Sequence, residues 1–332
     1  MTTDRIGMVF ELLEELGEDP RFQFSLRQVA SVEPMATLTI SHAECDGFGA
    51  MSRLLRREGI AYVAPAQRAD APAPSWRERL RALVRIVRYR PASPLVLVPR
   101  TTTWKPGDRV TQRPEAGRIL SAEESAAIFA AARAAGASVT SYLLHGLTEA
   151  VATALAEPSP TVTWAVPVNM RGPVRIADDA NGSSLTPVDV PRGDTPAAVH
   201  GALQAALAAN LHWGKWDQLN LAARLGRRIL RKKIAAHYAT AGTARLGVFS
   251  NVGVWSGATA PDVGVIAYGV PVLPDPLCAI ALTWNGKLAL SLRAHPSLGV
   301  DDATVAGWLE AWCEYALRLG PAVLAQGERG AA

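Results

Sequence analysis

The chain has 332 residues, long for one core and comfortable for two, so one large or two medium domains are expected. Hydrophobic residues make up 49% and charged residues 19%, the balance of a core-forming chain and not of a disordered one. A net charge of +4 and a pI near 9.1 leave room for an anionic ligand without calling for nucleic acid, and no nucleic-acid partner is expected.

The first residues mix acids into their apolar stretch, unlike a secretory signal, and no window approaches the ~18 uncharged apolar residues of a membrane-spanning helix. Apolar Val9, Leu12, Leu13 and Leu16 recur at helical spacing ahead of Gly17. Residues 22–30 and 36–41 alternate as strands, with Glu33-Pro34 as their turn, and a short helix follows Asp46-Gly47. Residues 64–75 carry three prolines and read as a linker. A helix is expected over residues 76 to about 90 with Trp76, Leu80, Leu83, Val84 and Val87 on one face, then a strand at 95–99. The polar stretch 100–118 reads as a crossover. It divides a first lobe, 1–100, from a second lobe, 119–332, with the crossover itself set at 101–118.

In the second lobe Ser121 and Glu124 form a capping-box pattern before an Ala-rich helix that Gly136 ends. Helices are expected over 138–156, 195–211, 216–239 and 301–319. Strands are expected over 161–168, 183–190, 245–250, 263–269, 277–284 and 287–293, the last two joined by an Asn285-Gly286 hairpin. Strands and helices mix without strict βαβ alternation, which favours a mixed sheet in a layered α/β fold.

Ser41-His42-Ala43-Glu44-Cys45-Asp46-Gly47 stands at a strand end just before a helix, where a scaffold holds a side chain still at a cleft. A histidine placed there suits general-base work because its ordinary pKa lies near neutrality. An aspartate followed by glycine suits a tight turn that organises the loop. Taken singly, a histidine at a strand end is more often a hydrogen-bonded structural residue than a catalyst, and Asp-Gly is an ordinary turn.

The whole string resembles the HHxxxDG signature of the CoA-dependent acyltransferase superfamily, which includes chloramphenicol acetyltransferase, plant alcohol acyltransferases, wax ester synthases and peptide-synthetase condensation domains. Ser41 takes the place of the first histidine. The resemblance assigns His42 as catalytic base and Asp46 as the aspartate that holds the loop, with Gly47 in support. It also matches residues 166–172 (VPVNMRG) to a strand-end motif whose arginine bridges to that aspartate, here Arg171. A buried carboxylate calls for such a partner, and the guanidinium fork fits it. Asn181-Gly182 is similar to a glycine-asparagine element with the order reversed. Residues 249–253 (FSNVG) are similar to an SNVPGP-type segment, which makes Ser250 or Asn251 the donor to an oxyanion.

The resemblance implies a two-lobed, chloramphenicol-acetyltransferase-like α/β sandwich with mixed sheets. Its first lobe is expected to be shortened, because only forty-one residues precede His42. The implied function is transfer of an acyl group from a CoA or carrier-protein thioester to a hydroxyl or amine. The thioester is a co-substrate, and no bound cofactor is implied. The alternative is a non-catalytic condensation-like module that binds an acyl chain, a carrier protein or a partner subunit. Wax ester synthases carry an Asn-Asp pair where this chain has the stretch 139–142, so that feature is lost. A shortened lobe also makes self-association an expectation.

Among other patterns, Gly47-Phe48-Gly49-Ala50-Met51-Ser52 is an incomplete nucleotide-binding GxGxxG, and no GxSxG elbow occurs. Asp178-Asp179 and Asp301-Asp302 read as a loop and a helix start, and no metal site is expected. Cys45, Cys278 and Cys313 form no metal spacing or disulfide framework and point to a reducing cytoplasm, and the acyltransferase resemblance implies a place in lipid or secondary metabolism. His145, His200, His212, His237 and His295 read as structural, and the nine tryptophans as core or channel wall. Two arginine-rich helical segments, at 77–90 and 224–233, read as solvated faces or as sites of attraction for CoA phosphates or anionic lipid at a membrane periphery.

Overall fold

Strand burial divides the molecule into two sheets of different character. The computed structural model describes residues 5–66, 72–91, 96–98, 102, 104–105, 108–239 and 245–329. A three-stranded antiparallel sheet has the order β2 (Pro34–Ser41), β1 (Arg21–Gln28), β8 (Val263–Tyr268). The seven-stranded sheet runs β4 (Glu115–Ile119), β10 (Lys287–Ala294), β9 (Leu277–Trp284), β7 (Gly247–Gly257), β5 (Thr161–Asn169), β6 (Ser183–Pro191), and the short β3 (Tyr62–Val63) pairs with the far end of β7.

Every residue of β9 is buried, and its two-residue period sorts it between two cores. Leu277, Ala279 and Ala281 join the larger core under α4 (Ala122–Ala134), α5 (Val139–Leu155) and α9 (Asp302–Arg329). Cys278, Ile280, Leu282 and Trp284 join the smaller core with Phe22, Phe24 and Met51, beneath the small sheet and α2 (Gly47–Arg57). The seven-stranded sheet is therefore the wall that both lobes share, and a strand covered on both faces reads as a continuous apolar run.

The helix starts follow their capping residues. Ser121 and Glu124 form a complete capping box on α4, Ser138 caps α5, and Thr195 caps α6 (Pro196–Ala208). Asn285 and Gly286 both adopt positive φ between β9 and β10, as a two-residue hairpin requires.

Three expectations change. The helix expected over 216–239 is two helices, α7 (Leu211–Arg224) and α8 (Arg227–Ala239), because Gly226 at φ 95° breaks the turn between them. The polar stretch before residue 118 ends in β4, which pairs with β10. Its strand character comes from packing: a Cβ on Gly117 would lie 2.4 Å from Ile266 Cδ1, so only glycine passes under β8 there. The strand expected at 95–99 lies partly outside the described residues, and within them Leu97 forms a single bridge to Ala156. Among the described residues no single helix is long and apolar enough to cross a membrane.

Candidate active site

β2 delivers the motif. Its ladder with β1 ends at Ser41 opposite Arg21, and the His42 N–H adds one more bond to the carbonyl of Pro20 at 2.8 Å. Ser41 then serves the turn, its hydroxyl accepting from the Ala43 N–H and its carbonyl from the Glu44 N–H. Asp46 is the N-cap of α2 and accepts from the Gly49 N–H at 3.0 Å. That bond places a carboxylate at the helix start, the position a phosphate occupies in a GxGxxG loop.

Asp46 and Arg171 form a bidentate pair, 2.8 Å and 2.9 Å, with side chains only 2% and 1% exposed. The Gly182 N–H and the Ser183 hydroxyl each donate to the same carboxylate at 2.8 Å. Burial alone would raise the Asp46 pKa; the Arg171 hydrogen bond and charge, with the N–H groups of Gly49 and Gly182, outweigh it and hold the carboxyl below the ordinary aspartate range. The guanidinium also lies over the Phe48 ring, 4.8 Å from its centroid. Gly182 is required here, since a Cβ would sit 2.5 Å from Arg171 Nη1. The motif loop, the end of β5 and the start of β6 are thus locked together.

The neighbouring Asn181 reaches His42 twice. Its Nδ2 donates to the His42 carbonyl at 3.1 Å, which turns its Oδ1 toward His42 Nδ1, also at 3.1 Å. An amide oxygen can only accept, so Nδ1 carries the proton and the ring's basic lone pair is on Nε2. Two aromatic rings frame the half-buried imidazole. Phe10, from α1 (Arg5–Glu15), stacks on it at 4.0 Å and 9° between planes, and Phe22 meets it edge-on at 5.3 Å. α1 is held in turn by Arg227 of α8, which donates to Glu11 and Glu15.

The segment with Ser250 and Asn251 flanks this unit on β7. β5 and β7 pair only at Trp164–Gly247 and Ala165–Val248, then part, so the two strands diverge toward the motif loop. Val252 comes within 3.8 Å of a Cβ built on Gly47, which brings this segment beside the start of α2. Asn251 stitches a bulge: its Oδ1 accepts from the N–H of Gly253, at φ 98°, and its Nδ2 donates to Thr140 of α5. The Ser250 hydroxyl has no hydrogen-bond partner among the described residues.

His42, Asp46, Gly47, Arg171 and Asn181 are therefore one connected unit, and Ser250 and Asn251 lie next to it without a described bond to His42. Phe10, Phe22, Thr140 and Ser183 belong to the same neighbourhood and carried no signal in the sequence, where each is an ordinary core or polar residue. The three cysteines are buried, and burial pushes each thiol up to about 12.

No family model and no curated protein matches the chain. Solved structures do. A nonribosomal peptide synthetase, FmoA3, aligns over 86% of this chain and 31% of its own at 19% identity and a TM-score of 0.53. The first condensation domain of the CDA synthetase aligns over 86% and 63% at 15% identity and 0.50. The SgcC5 protein of Streptomyces globisporus aligns over 97% and 78% at 15% identity and 0.52. The fold is that of the condensation domains. This chain spans less than two thirds of the first two of these relatives. Its version of the condensation fold is a two-lobed α/β sandwich of the chloramphenicol acetyltransferase type. The first lobe is reduced, with a three-stranded sheet set against a seven-stranded one.

Proposed function

We propose that the protein is an acyltransferase that moves an acyl group from a thioester to a hydroxyl or amine acceptor, with His42 as general base. The observation that carries this reading is the pair of hydrogen bonds between His42 and Asn181, which puts the proton on Nδ1 and leaves Nε2 as the basic nitrogen. His42 Nε2 takes the acceptor's proton as its oxygen or nitrogen attacks the thioester carbonyl. The new C–O or C–N bond forms, the C–S bond breaks, and the proton passes from Nε2 to the leaving thiolate. Ser250 donates to the oxyanion of the tetrahedral intermediate, and Asn251 holds the bulge that presents it. Asp46, Arg171 and Gly47 are positioning residues that fix the loop. The donor is carried on CoA or on a carrier protein, and likeness to a nonribosomal peptide synthetase favours the carrier and a place in secondary metabolism. No bound cofactor enters this reaction.

A second reading, a condensation-like module that holds an acyl chain or carrier without turnover, is favoured by the Phe10 ring lying against one face of His42. Free-thiol release from acyl-CoA and from an acyl-loaded carrier protein, with and without alcohols and amines, separates the two. Acceptor-dependent release that falls by about two orders of magnitude or more in His42→Ala, with the fold intact, is the expected result. Full rate in that variant, or no release from any donor, overturns the enzyme reading.

A further inference from the structure

α3 (Trp76–Arg88) begins at a capping box on Ser75 and Glu78 and buries only Ala82. It docks on α7 through a close approach of Ala82 to Gly214, where a Cβ would lie 2.3 Å from the Ala82 carbonyl oxygen, and through the Arg79–Asp217 ion pair. The opposite register of these two contacts carries the Trp76 end of α3 toward Leu221 and Leu225 near the end of α7. Along its outer side α3 leaves Trp76 70%, Leu80 52% and Val87 55% exposed, with Val84 between them. Leu221 and Leu225, and Ile229 on α8, continue the apolar surface at about half exposure. Single exposed apolar residues are unremarkable, but seven on three neighbouring helices make a patch.

The charges that border the apolar row of α3 are basic. With 3.6 residues per turn, Trp76, Leu80, Val84 and Val87 share roughly 80° of α3, and Arg77, Arg81 and Arg88 occupy the roughly 40° next to it. Those three arginines make no ion pair among the described residues, and the helix's one acid, Glu78, is taken by its cap. α8 adds Arg228, Lys232 and Lys233 around Ile229 and contains no acid.

We propose that this face docks on an anionic membrane surface, with the apolar row entering the headgroup boundary and the arginines meeting lipid phosphates. An apolar stripe bordered by a basic ridge, with a tryptophan at one end, is the composition of an interfacial helix. The exposed apolar side chains are spread over three helices and the basic ones over two, a breadth that suits a charged plane better than a single partner helix. This inference does not depend on the acyl-transfer reading.

Flotation with phosphatidylcholine vesicles, with and without about 30% phosphatidylglycerol, tests it. The protein should float with the anionic vesicles only, and less so as salt rises. Arg77→Glu/Arg81→Glu/Arg88→Glu should lower partitioning by roughly two orders of magnitude. Trp76→Ser/Leu80→Ser should lower it roughly tenfold. All five side chains lie on the outer side of α3, and unchanged thermal midpoints would show both variants folded. Equal flotation with neutral vesicles, flotation unaffected by either variant, or none by the folded wild type would overturn the proposal. So would a dimer that dissolves in Trp76→Ser/Leu80→Ser without vesicle binding, which would give the face to a second copy.

Discussion

Two sets of arginine–carboxylate pairs bracket His42, and they differ in almost everything except residue type. Below the histidine, Asp46 and Arg171 are withdrawn from solvent, bidentate, and surrounded by further donors from Gly49, Gly182 and Ser183. Above it, Arg227 holds Glu11 and Glu15, and through them the helix carrying Phe10, with all three side chains roughly half exposed. In the interior a charge without its partner is costly, so the lower pair fixes one loop conformation. At the surface water and salt stand in for either partner, so the upper pair orients α1 without committing it. The floor of the site is fixed by a buried ion pair, whereas the ion pairs of its cover are at the surface and leave α1 to its apolar packing of Leu12 against Ala222 and Leu230.

Arg171→Ala should give the largest effect. It strands the Asp46 carboxylate in the interior and should cost about 3–5 kcal/mol, read by urea unfolding. A loss under about 1 kcal/mol would erase the distinction between the two pairs.

Acid titration sharpens the same contrast. Asp46 has a folded pKa below its unfolded value of about 3.9, so its contribution is complete above that pH and disappears as pH falls through the lower folded value. Wild-type stability should therefore drop steeply below about pH 4. Asp46→Asn should start less stable at neutral pH and show a flatter acid limb. An unchanged acid slope would mean that Asp46 does not carry the linkage.

Asn181→Ala tests the part of the floor that touches the imidazole. Loss of its acceptor at Nδ1 should slow transfer roughly tenfold and shift the pH–rate profile, with little change in stability. A slower rate with an unshifted profile would indicate a purely structural role. The smallest effect is expected from Arg227→Ala, whose melting midpoint should match the wild type in moderate salt. A large drop there would show the cover to be as firmly fixed as the floor.

The motif loop was legible because its chemistry is local. Asp46 lies four residues after His42 and directly before a helix, and Arg171 follows two residues after a strand of strong apolar pattern, so residue type and position together mark both. β9 and β10 were legible for a related reason, since a buried hairpin has a two-residue period and an Asn-Gly turn. What the sequence hid depends on contacts between distant segments. Phe10 looks like any core position of an amphipathic helix, and only the packing of α1 against α7 and α8 brings it to His42. Ser183 is one serine among many until Gly182 lets the chain pass beside Arg171. β4 has no strand pattern of its own and is made by the edge of β10. The break between α7 and α8 falls at Gly226, and a glycine within a basic helical run does not announce which conformation it will take.

The most direct test of this account is the tautomer of His42, read from long-range ¹H–¹⁵N couplings of the imidazole at neutral pH. The account predicts a ring protonated at Nδ1 in the wild type, with that preference lost in Asn181→Ala. A wild-type ring protonated at Nε2 would contradict it, because the nitrogen assigned as base would already hold a proton.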